Sequence, residues 1–346
     1  MGLGKSKILS QGASSTDFFT PLTYTGNGGT QSISSLTFAP SLVWIKDRDV
    51  GECHTLTDII RGAPSSLSTS STAGEYVDST YKIRSLDSNG FTVKDVSQGF
   101  YGVNGNNVNY IAYCFNGGDT TVTDEGTRRA NPDAGFSIVE TTTGSSTNPA
   151  VQTQFGEYRY KHGLNSEPKL ILAKSKGLTR DWECFFKISS SSVFDFAINS
   201  TRAPHTYTIP TNFTSWDSTR IHAWNYPSAN TSPGDPMIIY NFADVAGVQK
   251  IGSYTGTGSA GQSITTGFEP RFLIIKSTVG ADNWRLYDTV RGITSGGFLE
   301  PNNCDSENTS SAPNITMTAT GFEITSGGVT QGNNSSGNLY IYLAIA

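Results

Sequence analysis

Acid–base, nucleophilic or metal chemistry in this chain would draw on four histidines, four cysteines and 29 acidic residues. Their spacing offers little to build with. His54, His162, His205 and His222 form no HxxxH, HxH or Cys/His pattern, so no metal site is expected. Cys53 and His54 are adjacent, and neighbouring side chains on a strand point to opposite faces, which is poor geometry for a thiolate–imidazole pair. Cys53, Cys114, Cys184 and Cys304 contain no CxxC and read as four ordinary thiols of a reducing cytoplasm. Asp47, Asp49 and Glu52 surround Gly51, but they lack the calcium-loop spacing and enclose Arg48, so a solvated turn is expected. Gly4-Lys5-Ser6 ends like a phosphate-binding loop but lacks the earlier glycine and the preceding strand. Acidic residues scattered through turns give no placed carboxylate pair for glycoside hydrolysis. The expectation is therefore no enzyme and no cofactor.

Two other groups of residues invite a role. Phe100, Tyr101, Trp216, Trp224, Tyr226 and Trp284 sit among polar residues, where aromatic rings can stack on sugars or anchor an interface. Phe100-Tyr101 in particular lies between Gly99 and Gly102, like the tip of a loop. Asp58 and Arg61, then Asp288 and Arg291, recur at one place in two similar segments. Each pair is expected to lock a turn through a charge-assisted hydrogen bond, with Gly62 and Gly292 taking positive φ. Lys46, Lys174 and Lys276 read as residues at strand ends.

The elements that position these residues are strands. Apolar residues at helical spacing are nearly absent. Short apolar runs instead end in lysine: Ser41 to Lys46, Lys169 to Lys174 and Arg271 to Lys276. Asn-Gly and Gly-Gly turns punctuate the intervening chain, as in a β-sandwich. Only 15% of the 346 residues are charged, the net charge is −5, and aromatic residues reach 11%. That balance excludes a strongly basic nucleic-acid binder and charge-driven disorder. No apolar stretch is long enough for a membrane-spanning helix, so no membrane insertion is expected.

An internal repeat organises the sequence. Pro40, Pro168 and Pro270 precede the three runs. Tyr24-Thr25-Gly26-Asn27-Gly28 is echoed by Tyr254-Thr255-Gly256-Thr257-Gly258, and Asn89-Gly90-Phe91 by Thr320-Gly321-Phe322. Each copy closes on an apolar strand: Tyr110 to Tyr113, Met237 to Tyr240, Tyr340 to Leu343. The expected architecture is all-β, with three tandem antiparallel β-sandwich repeats. An N-terminal leader, residues 1–17, is an expected attachment segment. Repeat 1 spans 18–118, a polar linker 119–135, a diverged repeat 2 136–249, and repeat 3 250–346.

These segments resemble the tail-fibre-like virion structural proteins of marine tailed phages that infect cyanobacteria and pelagic bacteria. The resemblance rests on Tyr24 to Gly28, Pro40 to Lys46, Asp58 to Gly62, Asn89 to Phe91, Tyr110 to Phe115, Ala134 to Val139, His162 to Leu164 and Tyr340 to Ala346. It implies a jelly-roll or lectin-like sandwich and a virion location after synthesis in the host cytoplasm. It also implies a tail-fibre, tail-associated or head-decorating role in assembly or host attachment. Other virion proteins are the expected partners, and a homo-oligomer is expected, a trimer being favoured. The alternative is a lectin-like module that recognises host-surface glycan; a polysaccharide depolymerase ranks below both.

Overall fold

The computed structural model describes residues 15–77, 82–94, 102–145, 156–209, 211–223, 233–291, 297–309, 314–326 and 332–346. The fold is all-β: these residues form antiparallel sheets, with one short 3-10 turn at Ser15–Asp17 and no α-helix. Of the leader, residues 1–14 lie outside the described residues.

Three sheets share one strand order. Sheet I runs Phe19–Thr25, Asn109–Phe115, Leu42–Asp47, Thr55–Asp58. Sheet III runs Gln249–Thr255, Leu339–Ile345, Phe272–Ser277, Arg285–Asp288 in the same antiparallel order. The middle of sheet II follows it too: Phe136–Thr142, Pro236–Ala243, Pro168–Ser175, Glu183–Lys187. The lysine-ended runs are thus inner strands, next to the strand that closes each segment.

Continuous apolar runs arise because these strands are buried on both faces. Leu42 and Trp44, Leu170 and Leu172, and Phe272 and Ile274 point into one central core shared by the three sheets. The alternate residues point the other way, into three satellite cores beneath smaller outer sheets: Val43 and Ile45, Ile171 and Ala173, Leu273 and Ile275. The outer sheet over sheet I is Thr30–Ile33, Gly90–Lys94, Lys82–Asp87. That over sheet III is Gln262–Thr265, Gly321–Ile324, Ile315–Thr318. The echoed Gly-Phe motif has a steric cause here. A Cβ on Gly90 would stand 1.8 Å from the Ile33 carbonyl oxygen, and one on Gly321 2.0 Å from that of Ile264.

Aromatic rings join the sheets at the centre. Phe115 of sheet I lies 5.1 Å from Phe136 of sheet II and 6.3 Å from Phe272 of sheet III, and Phe19 lies 5.2 Å from Phe272. Such tilted and edge-on contacts suit ring quadrupoles. The sandwiches therefore surround a common interior and do not stand in series as separate cores.

Two sequence expectations are corrected. Residues 119–135 are more than a connector: Thr121–Asp124 and Gly126–Asn131 form a hairpin that extends the edge of sheet II. Cys53 and Cys304 are not free thiols but a disulfide joining segments 251 residues apart, whereas Cys114 and Cys184 are free and buried.

Candidate functional site

The residues with chemistry gather where the sheets meet. Thr55 faces Ile45 in sheet I, Glu183 faces Ala173 in sheet II, and Arg285 faces Ile275 in sheet III, so these three positions correspond. One residue earlier stand His54, Trp182 and Trp284. Each ring sends a nitrogen to a backbone carbonyl of the neighbouring segment. Trp182 Nε1 donates to Ser68 O at 2.7 Å and Trp284 Nε1 to Ala197 O at 3.1 Å, while His54 Nε2 lies 3.1 Å from Glu300 O. The acceptors also correspond, since each follows a residue bridged to the neighbouring strand: Leu67 to Leu56, Phe196 to Cys184, Leu299 to Leu286. His54 Nδ1 accepts from Trp44 Nε1 at 2.8 Å. The ring is thereby the neutral tautomer that carries its proton on Nε2. Burial pushes its pKa well below the usual value.

The aspartates of the Asp-x-x-Arg turns also reach across sheets. Asp58 accepts the Ile60 and Arg61 backbone N–H groups at 3.0 Å and the Arg61 guanidinium at 2.5 Å. It also accepts the Tyr240 hydroxyl of sheet II at 2.8 Å. Asp288 does the same with Val290, Arg291 and the Tyr113 hydroxyl of sheet I, the last at 2.8 Å. Gly62 has φ of +75°, a conformation glycine adopts without cost; Gly292 lies outside the described residues. Lys46, Lys174 and Lys276 are buried. Lys174 Nζ donates to Thr72 O and Lys276 Nζ to Thr201 O, each at 3.1 Å, so two of the lysines fasten adjacent segments. Burial pushes both down to about 8.

Of the expected ligand aromatics, Trp216 and Trp284 are core residues: both are buried. Their N–H groups go to the carbonyls of Pro168 and Ala197. An indole ring buries much apolar surface once its single donor is satisfied, so polar neighbours in sequence do not mark it as exposed. Phe100, Tyr101, Trp224 and Tyr226 lie outside the described residues.

Three further arrangements are not visible in the sequence. Glu183 and Asp195 lie buried on neighbouring strands, and Arg202 Nη2 stands 3.1 Å from both Asp195 oxygens and 3.8 Å from Glu183. Burial, then Asp195, pushes the Glu183 pKa well up. On the outer sheet over sheet II, where Gly156–Lys161, Arg220–Ala223 and Phe213–Trp216 lie side by side, Thr214 Oγ1 lies 2.6 Å from His222 Nδ1, and His222 Nε2 bonds Glu157. That is a hydroxyl–imidazole–carboxylate order, in which a base can draw a hydroxyl proton, here with Thr214 exposed on a strand. Finally, a cavity of about 420 Å³ opens between the first and second segments, with Thr55, Ser66, Ser68, Glu75 and Lys176 on its wall. Among the described residues no group of three or more His, Cys, Asp or Glu is placed to hold a metal ion.

No curated protein matches the sequence. A solved structure described as the triple jelly roll fold and turret assembly in an archaeal virus aligns over 95% of this chain and 89% of its own. The identity is 12% and the TM-score 0.13, a likeness that carries no structural argument. A family model does match, over residues 14–346, nearly all of the chain that carries the three sheets and their shared core: the protein belongs to a family described as a domain of unknown function, DUF7483.

Proposed function

We propose that the protein is a structural component of a tailed-phage virion, a tail-fibre, tail-associated or head-decorating subunit that contributes to particle assembly or host attachment. The observation that supports this reading is the shared core: three sheets bury their inner faces against one another, and a disulfide ties the first segment to the third. Such a body is rigid, and its loops sit on a fixed frame, which suits a particle exposed to shear and to changing solvent. A reducing cytoplasm keeps thiols open, so on this reading Cys53–Cys304 closes after release from the host. The proposed partners are other virion proteins, and the protein has no catalytic role. The inner faces already cover one another within one chain, so a homo-oligomer, with the trimer favoured, would use outer surfaces and loops.

The test is to purify particles of the phage that encodes the chain. Tryptic mass spectrometry and gold-labelled antibody in negative stain then look for it. The expected result is a stoichiometric band and label at a fixed place on the particle. Particles that contain no copy overturn the reading.

A further inference from the structure

We propose that the cavity between the first and second segments is a binding site for a neutral saccharide. The inference goes beyond the virion reading and stands without it.

The argument starts from three corresponding places. Thr55 and Ser66 in the first segment correspond to Glu183 and Asp195 in the second and to Arg285 and Phe298 in the third, by the pairings that align the three strands. In the second, Glu183 and Asp195 fill the place together with Arg202, whose guanidinium closes on both carboxylates. In the third, Arg285 packs 4.6 Å above the Phe298 ring, leaving a smaller cavity of about 300 Å³ walled by Glu300, Asp305 and Glu307. In the first, short side chains leave the space empty, and Ala73 stands where Arg202 does, six residues beyond the bridged position. The resulting volume of about 420 Å³ is within the range of small-molecule sites.

The wall selects the class of ligand. Thr55 is buried, and its Oγ1 has no hydrogen-bond partner. A buried hydroxyl left unpaired is costly, so a polar group in the cavity would satisfy it. Ser66, Ser68 and Ser71 add hydroxyls that already bond Thr57, Ser70 and the Ala73 N–H, and a hydroxyl, with one donor and two acceptor positions, keeps capacity for a further bond. The charged groups are already engaged. Glu75 lies 3.4 Å from Arg61 and 3.8 Å from Lys176, Lys176 also pairs with Glu140, and Lys82 has a neighbour of its own. Ions find no uncommitted charge there, while a hydroxyl-rich ring finds donors and acceptors. Tyr76, 52% exposed, stands at the cavity and offers an aromatic face for a sugar ring.

The experiment is saturation-transfer NMR on the full chain with the methyl glycosides of glucose, galactose, mannose and N-acetylglucosamine. Binding constants follow from titration of whichever glycoside responds. At least one is expected to receive saturation. Ala73→Arg, which places here the side chain that closes the second site, should abolish the transfer. Thr55→Val, isosteric but without the hydroxyl, should weaken binding about fivefold, as expected for one hydrogen bond. Thermal melting identifies any variant that fails to fold, and Tyr76→Ala on the rim then replaces it, with a similar loss expected. Absence of transfer from all four glycosides to the wild-type chain overturns the proposal. So does transfer that survives Ala73→Arg, or Tyr76→Ala in its place. Particle composition is untouched by either outcome, so the virion reading is judged separately.

Discussion

His54 gives the sharpest test of how the sheets are fastened. Its ring is wholly buried, accepts from Trp44 at Nδ1 and faces the Glu300 carbonyl with Nε2, so the folded state holds it neutral. Protonation would turn Nδ1 into a donor facing the Trp44 N–H, which is also a donor. The folded pKa is depressed, so below the unfolded value of about 6.5 the unfolded chain takes up a proton that the folded chain refuses. Stability from this group is present above that pH and is lost as pH falls. Between pH 7 and pH 5 the loss comes to about 2 kcal/mol for a ring that the folded state keeps neutral. Urea unfolding followed by tryptophan fluorescence measures it. The comparison is a double variant, Trp44→Leu with His54→Trp, which installs the combination that Leu172 and Trp182 form in sheet II. It keeps a ring N–H aimed at the Glu300 carbonyl without a titrating group. The wild-type should lose about 2 kcal/mol more than the double variant over this pH range. Equal losses in the two proteins, or an NMR titration of His54 near 6.5, would refute the reasoning.

Other substitutions read other parts of the frame. Replacing both Cys53 and Cys304 with serine releases a crosslink that closes a very long loop, and should cost up to about 5 kcal/mol in chemical denaturation. Asp58→Asn leaves the buried Arg61 guanidinium short of its partner and weakens the bond from Tyr240, so a loss of about 3–5 kcal/mol is expected by the same assay. Glu183→Gln acts in the opposite sense. The raised pKa means that stability falls as pH climbs from about 4.5 towards the folded value, so the variant should unfold at higher urea than the wild-type at pH 7 and show a flatter pH profile. Trp216→Ala should lower stability by about 3–5 kcal/mol, as loss of a core ring does, which a melting curve would detect.

Much of the fold is legible because the sequence signals are local. Leu42 to Ile45 and Phe272 to Ile275 are apolar at every position because both strand faces are covered, and their alternate residues belong to different cores. Tyr24-Thr25-Gly26 and its echo Tyr254-Thr255-Gly256 mark close backbone approaches. A Cβ on Gly26 or Gly256 would lie 2.2 Å or 2.4 Å from a carbonyl oxygen. What the sequence hides is non-local. A thiol pair 251 residues apart has no spacing pattern. The hairpin within 119–135 is polar on both faces because it lies at an exposed sheet edge, so no alternation betrays it. The cavity of the candidate site is invisible for a similar reason. Thr55, Ser66 and Lys176 have no shared motif, and only the meeting of two segments brings them onto one wall.

The interfaces show why one chain differs from three identical ones. Tyr113 faces Trp44, Tyr240 faces Leu172 and Leu343 faces Ile274, so these three positions correspond. So do Asp58, Phe186 and Asp288, which face Leu42, Leu170 and Phe272. Two interfaces join a tyrosine hydroxyl to an aspartate, while the third has leucine and phenylalanine at the same places. Identical subunits would repeat one solution three times, but a single chain lets each interface be tuned alone. Covalent linkage follows the same logic. Peptide bonds run from the first segment to the second and from the second to the third, but none joins the third back to the first. Cys53–Cys304 lies at that open interface, beside the His54–Glu300 contact, and makes the ring of segments covalently complete. With all three joints fixed, the cavity beside Thr55 lies outside the contacts that hold the segments together, so side-chain size there can vary without loosening the frame.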